Sequence, residues 1–270
     1  MKAFNGLAKI LLLICLGWCG LATVACAGEI YAHIELMSGT VSIIDVNGQA
    51  RMPRVDDTIY AGETVITGQN GELQARTEDH GFIVFRGNSK MKIESYLAKG
   101  GNEDNVVVSL LYGGLRSITG WIGKRNPGNY AIRTSNATIG IRGTDHETQV
   151  ILPPEKGEAS PTPPGTYDKV NTGATVIKTE FGQAVVNASQ AGFAAHDSKF
   201  APRLLERIPA IFKRSANEER IEKRSGELGK DIEQKRLERV KDIAERKNAA
   251  KEEGGKKVKS EHRRKPAAEK

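Results

Sequence analysis

The sequence ETVITGQNGELQAR, residues 63–76, places two short strand-like runs on either side of Gln69-Asn70-Gly71. Asn-Gly is the dipeptide that most easily adopts the positive φ angles of tight turns. The same arrangement occurs upstream, where TVSIID and QARM flank Val46-Asn47-Gly48. This alternation of short strands and turns predicts an all-β body.

Further apolar runs continue the pattern, namely GFIVF (81–85), KMKIE (90–94) and VVVSLLYGG (106–114). The last run is apolar on both faces, which predicts a strand buried on both sides. A faint repeat links residues 65–75, 131–141 and 176–186, and units of this kind form either the coils of a solenoid or the hairpins of a sandwich. The irregular spacing of the repeat leaves both architectures open.

Residues 1–27 have the features of a signal peptide. MKAFNGLAK carries two lysines and no acid, an apolar run follows, and Ala25-Cys26-Ala27 offers small residues for cleavage before Gly28. The alternatives are an uncleaved anchor helix and a lipid-anchored chain that begins at Cys26. The sequence therefore predicts export to the periplasm of a Gram-negative type of cell.

The cysteines Cys15, Cys19 and Cys26 all lie in this leader. A cleaved chain would hold no cysteine, which excludes a disulfide framework, a thiol nucleophile and thiolate zinc sites. Apart from His146, the histidines are scattered singly without ligand spacing, at His33, His80, His196 and His262. We therefore expect no metal and no cofactor.

Charge separates the chain into a body and a tail. Residues 28–212 hold 18 Lys and Arg against 20 Asp and Glu, whereas residues 213–270 hold 20 against 13. The predicted units are a signal peptide (1–27), a β body (28–212) and a charged tail (213–270). A proline-rich loop at 151–169 belongs to the body, because β pattern resumes after it.

In the tail, the sequence predicts a helix over about 216–251, followed by disorder from Gly254. Its apolar stripe is thin and is formed by Ile221, Leu228, Ile232, Val240 and Ile243. Such a helix is either a loose coiled coil, with weak self-association through 216–251, or a single solvated helix. Export argues against nucleic acid as a partner of this basic tail and favours anionic lipid, lipopolysaccharide or an acidic protein. A plain charged spacer is the simpler interpretation.

The segment ATIGIRGTDHETQV, residues 137–150, gathers Arg142, Asp145, His146 and Glu147. Catalysis or metal binding would need these side chains to converge, but neighbouring residues on a strand point to opposite faces. Gly143 suits a backbone conformation closed to other residues. We therefore predict a structural turn in which Arg142 pairs with Asp145 and nearby carbonyls, with His146 and Glu147 at a solvated strand edge.

Three segments together resemble the FecR domain, named after the periplasmic iron-dicitrate signalling regulator. They are residues 62–94, LLYGGLRS at 110–117, and NYAIRTSNATIGIRGTDHETQV at 129–150. The resemblance covers about 39–193. The family pattern Thr-x-x-Ala-x-x-Gly-x-Arg-Gly-Thr is matched at Thr134, Ala137, Gly140, Arg142, Gly143 and Thr144, with Asp145 next to it.

This resemblance implies an all-β domain of stacked short strands that works by contact and not by catalysis. Members that control sigma factors carry a cytoplasmic anti-sigma region and a membrane helix ahead of the domain, where this chain has only a leader. The expected function is a non-catalytic periplasmic sensor or adaptor that contacts an envelope protein or ligand. One alternative is an envelope-binding structural module that binds glycan, lipopolysaccharide or membrane. The other alternative is a hydrolase.

Overall fold

The computed structural model describes residues 28–155, 160–228 and 232–262. The predicted leader and its cleavage residues Ala25 and Ala27 lie outside these ranges, as does part of the proline-rich loop. Fifteen strands are described: β1 (Ile30–Ser38), β2 (Val41–Ile44), β3 (Ala50–Arg51), β4 (Thr58–Tyr60), β5 (Thr64–Thr67), β6 (Glu72–Thr77), β7 (Phe82–Phe85), β8 (Ser89–Leu97), β9 (Asn105–Ile118), β10 (Tyr130–Arg133), β11 (Thr138–Ile151), β12 (Gly165–Thr179), β13 (Gly182–Asn187), β14 (Ala191–Ala195) and β15 (Arg203–Leu204). The described helices are α1 (Trp121–Arg125), α2 (Glu218–Glu227) and α3 (Ile232–His262), and a 3-10 turn covers Pro127–Asn129.

The strands form one continuous sheet that divides into two halves. Half-sheet A contains β2, β3, β5, β8, β10 and β13, and half-sheet B contains β1, β4, β6, β7, β14 and β15. The three long strands β9, β11 and β12 belong to both halves, because each changes partners midway along its length. All described pairs are antiparallel except the β9–β10 pair.

Each long strand changes partners at a glycine with positive φ. Strand β9 pairs with β8 up to Tyr112 and with β11 from Gly113, whose φ is 83°. Gly143 in β11 has φ 58° and Gly173 in β12 has φ 82°, and both lie where the β11–β12 register shifts. Backbone of this kind favours glycine, so these three residues permit the bends between the halves.

The two halves share one hydrophobic core. Tyr31 of β1 and Tyr96 of β8 belong to different halves, and their rings meet edge to face at 5.0 Å between centroids. Side chains alternate along the strands, so that Leu73 and Ala75 of β6 point into this core. The mainly β fold expected from the sequence is confirmed, and the mostly antiparallel pairing across a shared core does not confirm a solenoid.

The two Asn-Gly segments have different roles. Strands β2 and β3 pair directly around Asn47-Gly48, where Gly48 has φ 81°. The turn at Gln69-Asn70 instead links β5 in half-sheet A to β6 in half-sheet B, and the two strands do not pair with each other. The prediction that 106–114 is buried on both faces is wrong for Leu111, which is 40% exposed, because half-sheet A is covered on one face only.

The tail is not a single solvated helix, which is one of the two forms that the sequence leaves open. Helix α2 packs on the outer face of half-sheet B, and its Ile221 is fully buried. In α3, Arg236 donates a hydrogen bond to the carbonyl of Gly100 at 2.7 Å, and Arg239 pairs with Glu78 at 3.3 Å. Helix α3 continues to His262, past the point at Gly254 where disorder was predicted. Among the described helices, none combines the length and apolar character that a membrane span requires.

Candidate functional site

The segment 137–150 is part of one continuous strand and not a strand-turn-strand element. Strand β11 runs from Thr138 to Ile151 with a bulge between Arg142 and His146. The turn lies earlier, between β10 and β11, where the Thr134 hydroxyl and backbone bond to Ala137. The predicted turn at Gly143 is therefore wrong in form, although Gly143 does have the positive φ that was expected.

The remaining residues of the family motif serve the bend in β11. The backbone N–H of Thr144 donates to Thr119 Oγ1 at 2.9 Å, and its hydroxyl donates to the Ala174 carbonyl at 2.8 Å. Gly140 pairs with Val176 in the regular ladder before the bend. Gly140 and the Thr144 hydroxyl therefore hold β11 to β12 before and within the bulge, and the Thr144 N–H holds β11 to the segment that follows β9.

Arg142 does not make the predicted pair with Asp145. Its side chain is exposed, and the described residues offer it no hydrogen bond. Asp145 is instead bound by Arg116 of β9, whose Nε and Nη2 donate at 2.8 and 2.7 Å. The bulge at Gly143 explains the change of partner, because it separates Arg142 from the part of β11 that lies beside β9.

An ion-pair network surrounds Arg116 on the outer face of half-sheet B. Nη1 of Arg116 donates to Glu218 of α2 at 2.5 Å. Arg86 bonds Glu218 at 3.2 Å and Glu147 at 3.1 Å, and Lys169 pairs with Glu147. We call Arg86, Arg116, Asp145, Glu147 and Glu218 the outer-face network. Its side chains are nearly all buried, so the pairs are shielded from solvent.

This geometry lowers the pKa of two carboxyl groups in the network. Burial by itself raises the pKa of Asp145, but hydrogen bonds and charge from Arg116 outweigh it and hold the pKa below its ordinary value. Burial also opposes ionisation of Glu218, and the backbone N–H of Ser215 with the charge of Arg86 lowers that pKa. Both groups are therefore ionised partners of the two arginines at neutral pH.

His146 and Glu147 do not lie at a solvated edge, which corrects the second part of the prediction. Glu147 points outward into the network, and His146 points into the core, fully buried. His146 Nδ1 lies 2.8 Å from Asp168 Oδ1, and the hydroxyls of Thr148 and Thr175 donate to Asp168. The alternation of faces along the strand was correct, but both faces of this half-strand are covered.

The buried groups around His146 are closed to a substrate. Ser117 lies opposite His146 in the β9–β11 ladder, and its hydroxyl is bonded to Tyr130 at 2.9 Å. Ser117, His146 and Asp168 are at most 1% exposed, so no external molecule reaches them in this conformation. Within the described ranges, no group of three or more His, Cys, Asp or Glu has the geometry of a metal site.

Sequence reasoning missed four residues that matter here: Arg86, Arg116, Asp168 and Glu218. Arg116 had a visible signal, because it ends the Gly-Gly-Leu-Arg part of the family pattern. The alternation of faces along β11 placed Asp145 and Glu147 together, but it could not name their partners on other strands. Glu218 lies 102 residues from Arg116 in sequence, beyond the reach of any local pattern.

The stability of the chain should depend on pH through this network. Carboxyl groups with a lowered folded pKa stabilise the fold above their unfolded pKa of about 4, and this contribution is lost as pH falls through the folded pKa. We expect Glu218→Gln to lower the free energy of unfolding at pH 7 and to converge with the wild type towards pH 3. Urea unfolding curves at a series of pH values measure the difference.

Comparing the wild type with Glu218→Gln removes the contribution of carboxyl groups outside the outer-face network. Burial raises the pKa of Asp79, so that group acts with the opposite sign and gains stability as pH falls. Its effect is the same in both chains and cancels in the difference. A wild-type advantage that stays constant from pH 7 to pH 3 would show that Glu218 does not titrate with the fold.

The fold and the network define a β module without an open catalytic cluster in its described part. Residues 63–160 match the family model described as "FecR protein". Residues 63–160 are therefore similar to the FecR domain, as the motifs indicated, and the match supports a signalling or regulatory module. Strands β1–β4 and β12–β15 extend the same sheet on both sides of the matched segment.

Solved structures add weaker likenesses. Two crystal structures of a "putative anti-sigma factor" from Parabacteroides distasonis ATCC 8503 match with 10% identity and a TM-score of 0.41, over 53% of this chain and 59% of theirs. The chain thus spans about three fifths of the length of these proteins. A structure described as "Cell surface anchoring domain" matches with 33% identity and a TM-score of 0.23, over 23% of this chain and 83% of its own. No curated protein sequence matches this chain.

Proposed function

We propose that this protein is a non-catalytic adaptor of FecR type that works by protein contact in cell-envelope signalling. The FecR domain supports the signalling role, and the leader-like residues 1–27 support a periplasmic location. The observation that carries the contact mechanism is an exposed apolar surface at one end of the sheet.

This surface, the edge patch, consists of Phe181, Val185, Phe200 and Leu204. Their exposed fractions are 43%, 48%, 82% and 44%. Val185 belongs to β13 and Leu204 to β15, which lie against each other at the end of the sheet. Neighbouring apolar side chains that remain in water mark a surface that another molecule covers.

The strands of the edge patch also leave backbone groups free to pair. In the described part of the chain, β13 pairs with β12 alone and β15 with β14 alone. An edge with unpaired N–H and C=O groups can accept a strand from a partner protein. The edge patch therefore offers both apolar contact and backbone hydrogen bonds to an envelope protein.

The test is site-specific photo-crosslinking in cells, with the photoreactive residue at Phe200. We expect a protein adduct whose yield falls at least about tenfold when Leu204→Ser removes apolar contact area. The matched control is Met52→Ser, because Met52 is 85% exposed and precedes β4 at the opposite end of the sheet order. An adduct with lipopolysaccharide, or equal loss in both variants, would contradict protein contact through the edge patch.

A further inference from the structure

The surface beneath α2 combines an apolar floor with charged flanks. Phe82 and Val84 of β7 and Ile118 of β9 form the floor and are at most 7% exposed with α2 in place. Glu35 and Gln74 lie on one flank, towards β1 and β6. The other flank holds Arg116 and Asp145. We call this surface the helix groove.

Helix α2 fits the helix groove with Ile221, with Leu228 directly after the helix and with polar residues on both sides. Ile221 lies on the floor. Arg220 donates to Gln74 at 3.1 Å, and Arg224 bonds Glu35 at 2.6 Å. On the opposite flank Ser225 donates to Asp145 at 2.7 Å. The groove therefore recognises a short helix by the order of its charged residues and by the aliphatic side chains of Ile221 and Leu228.

Helix α2 is not stable by itself. It has ten residues, which is below the length at which isolated helices persist in water. Gly226 lowers its helix propensity further, and nothing lies within 4 Å of the position that a Cβ would take there. Its helical state therefore depends on the groove, and its release exposes a preformed surface.

The segment that leads into α2 is loosely packed. Residues 211–215 run between two clefts of about 340 and 470 Å³, which are lined by residues of the outer-face network. Phe212 is only partly buried, and the ammonium of Lys169 lies 5.4 Å from its ring centroid. A segment with open space on both sides resists displacement less than a packed one.

From these contacts we propose that the helix groove is a second protein-docking surface, which α2 occupies in competition with a partner. The partner is an amphipathic helix that carries a carboxylate, an aliphatic residue three positions later and a hydroxyl four positions after that. This is the spacing of Glu218, Ile221 and Ser225 in α2. The surface is separate from the edge patch, so the inference does not rest on the proposed function.

The first test measures docking in trans with a labelled peptide of residues 215–228. The full chain with Ile221→Ser, whose own α2 is weakened, should bind the peptide at least about tenfold more tightly than the wild type, because the fraction of open groove sets the apparent affinity. Binding should weaken as salt rises. A peptide with Glu218→Gln should bind less tightly than the unmodified one.

Glu219→Gln in the full chain is the matched control, since Glu219 is exposed on the same helix. That variant should bind the peptide no better than the wild type. Equal affinity of the wild type and Ile221→Ser for the peptide would overturn the proposal, provided that circular dichroism shows a folded β body in both. A dimer of Ile221→Ser without peptide binding would also overturn it and would indicate exchange of α2 between copies.

A second measurement uses the unmodified chain and does not depend on a variant that folds. Hydrogen exchange should be faster at the amides of α2 than at those of β9, and added salt should increase the rate in α2 alone. This pattern would show that α2 opens while the sheet remains intact. Exchange of α2 at the same rate as β9, with or without salt, would mean that α2 is a fixed part of the body.

Discussion

Arg116→Ala is expected to destabilise the chain by about 3–5 kcal/mol, the cost of leaving buried charges without a partner. Arg116 is 5% exposed and binds Asp145 and Glu218 at once. Its removal leaves Asp145 with Asn171 and Ser225 as hydrogen-bond donors and no bidentate cation. Urea unfolding at pH 7 measures the loss.

The matched control is Arg142→Ala, which removes the same side chain from an exposed site 26 residues further along the sequence. We expect a change within about 0.5 kcal/mol, as for surface positions in general. A double-mutant cycle of Arg116→Ala with Asp145→Asn should give a coupling free energy above about 1 kcal/mol. Equal losses for Arg116→Ala and Arg142→Ala would contradict the placement of Arg116 in the network.

Gly113→Ala and Gly173→Ala are each expected to cost on the order of 3 kcal/mol, because strained backbone and steric overlap act together. A Cβ on Gly113 would overlap Ser89 Oγ and the carbonyl oxygen of Asn88. A Cβ on Gly173 would lie 2.5 Å from the carbonyl oxygen of Gly143. Backbone atoms cannot move aside as the end of a flexible side chain can.

Gly143→Ala separates strain from overlap. Its φ of 58° is unfavourable for alanine, but the nearest atom to a Cβ there is Lys124 Cγ at 3.5 Å, an ordinary contact. We expect a loss of about 1 kcal/mol. Thermal or urea unfolding of the three variants gives the order, and a larger loss at Gly143 than at Gly113 would show that overlap does not decide the outcome.

The sequence predicted the parts of the fold that depend on local pattern. Alternating residues and Asn-Gly turns identified the β body, and face alternation in β11 correctly separated His146 from Asp145 and Glu147. The sequence pattern could not show that β9, β11 and β12 each join two half-sheets, because the pairing of strands depends on residues far away in sequence. Exposure was misjudged at His146 for the same reason, since α2 and half-sheet A cover the two faces of this region.

The tail shows a second limit of sequence patterns. The thin apolar stripe that begins with Ile221 and Leu228 was too weak a signal for a docked helix, and the charged residues around it indicated solvent. In the structure those charges have fixed partners in the sheet, such as Glu218 with Arg116. A charged helix that docks by ion pairs has the same composition as a solvated one, so only the positions of its partners distinguish them.

The three long strands shared by the two half-sheets also dictate the order in which this protein can fold. The C-terminal part of β9 pairs with β11 on one side, and β11 pairs with β12. The shared strands of neither half can therefore be fully paired until residue 179, the end of β12, has left the ribosome. Contacts between such distant segments form slowly, over milliseconds to seconds. The nascent chain therefore remains open while most of its body is being made, and the two half-sheets close late and together.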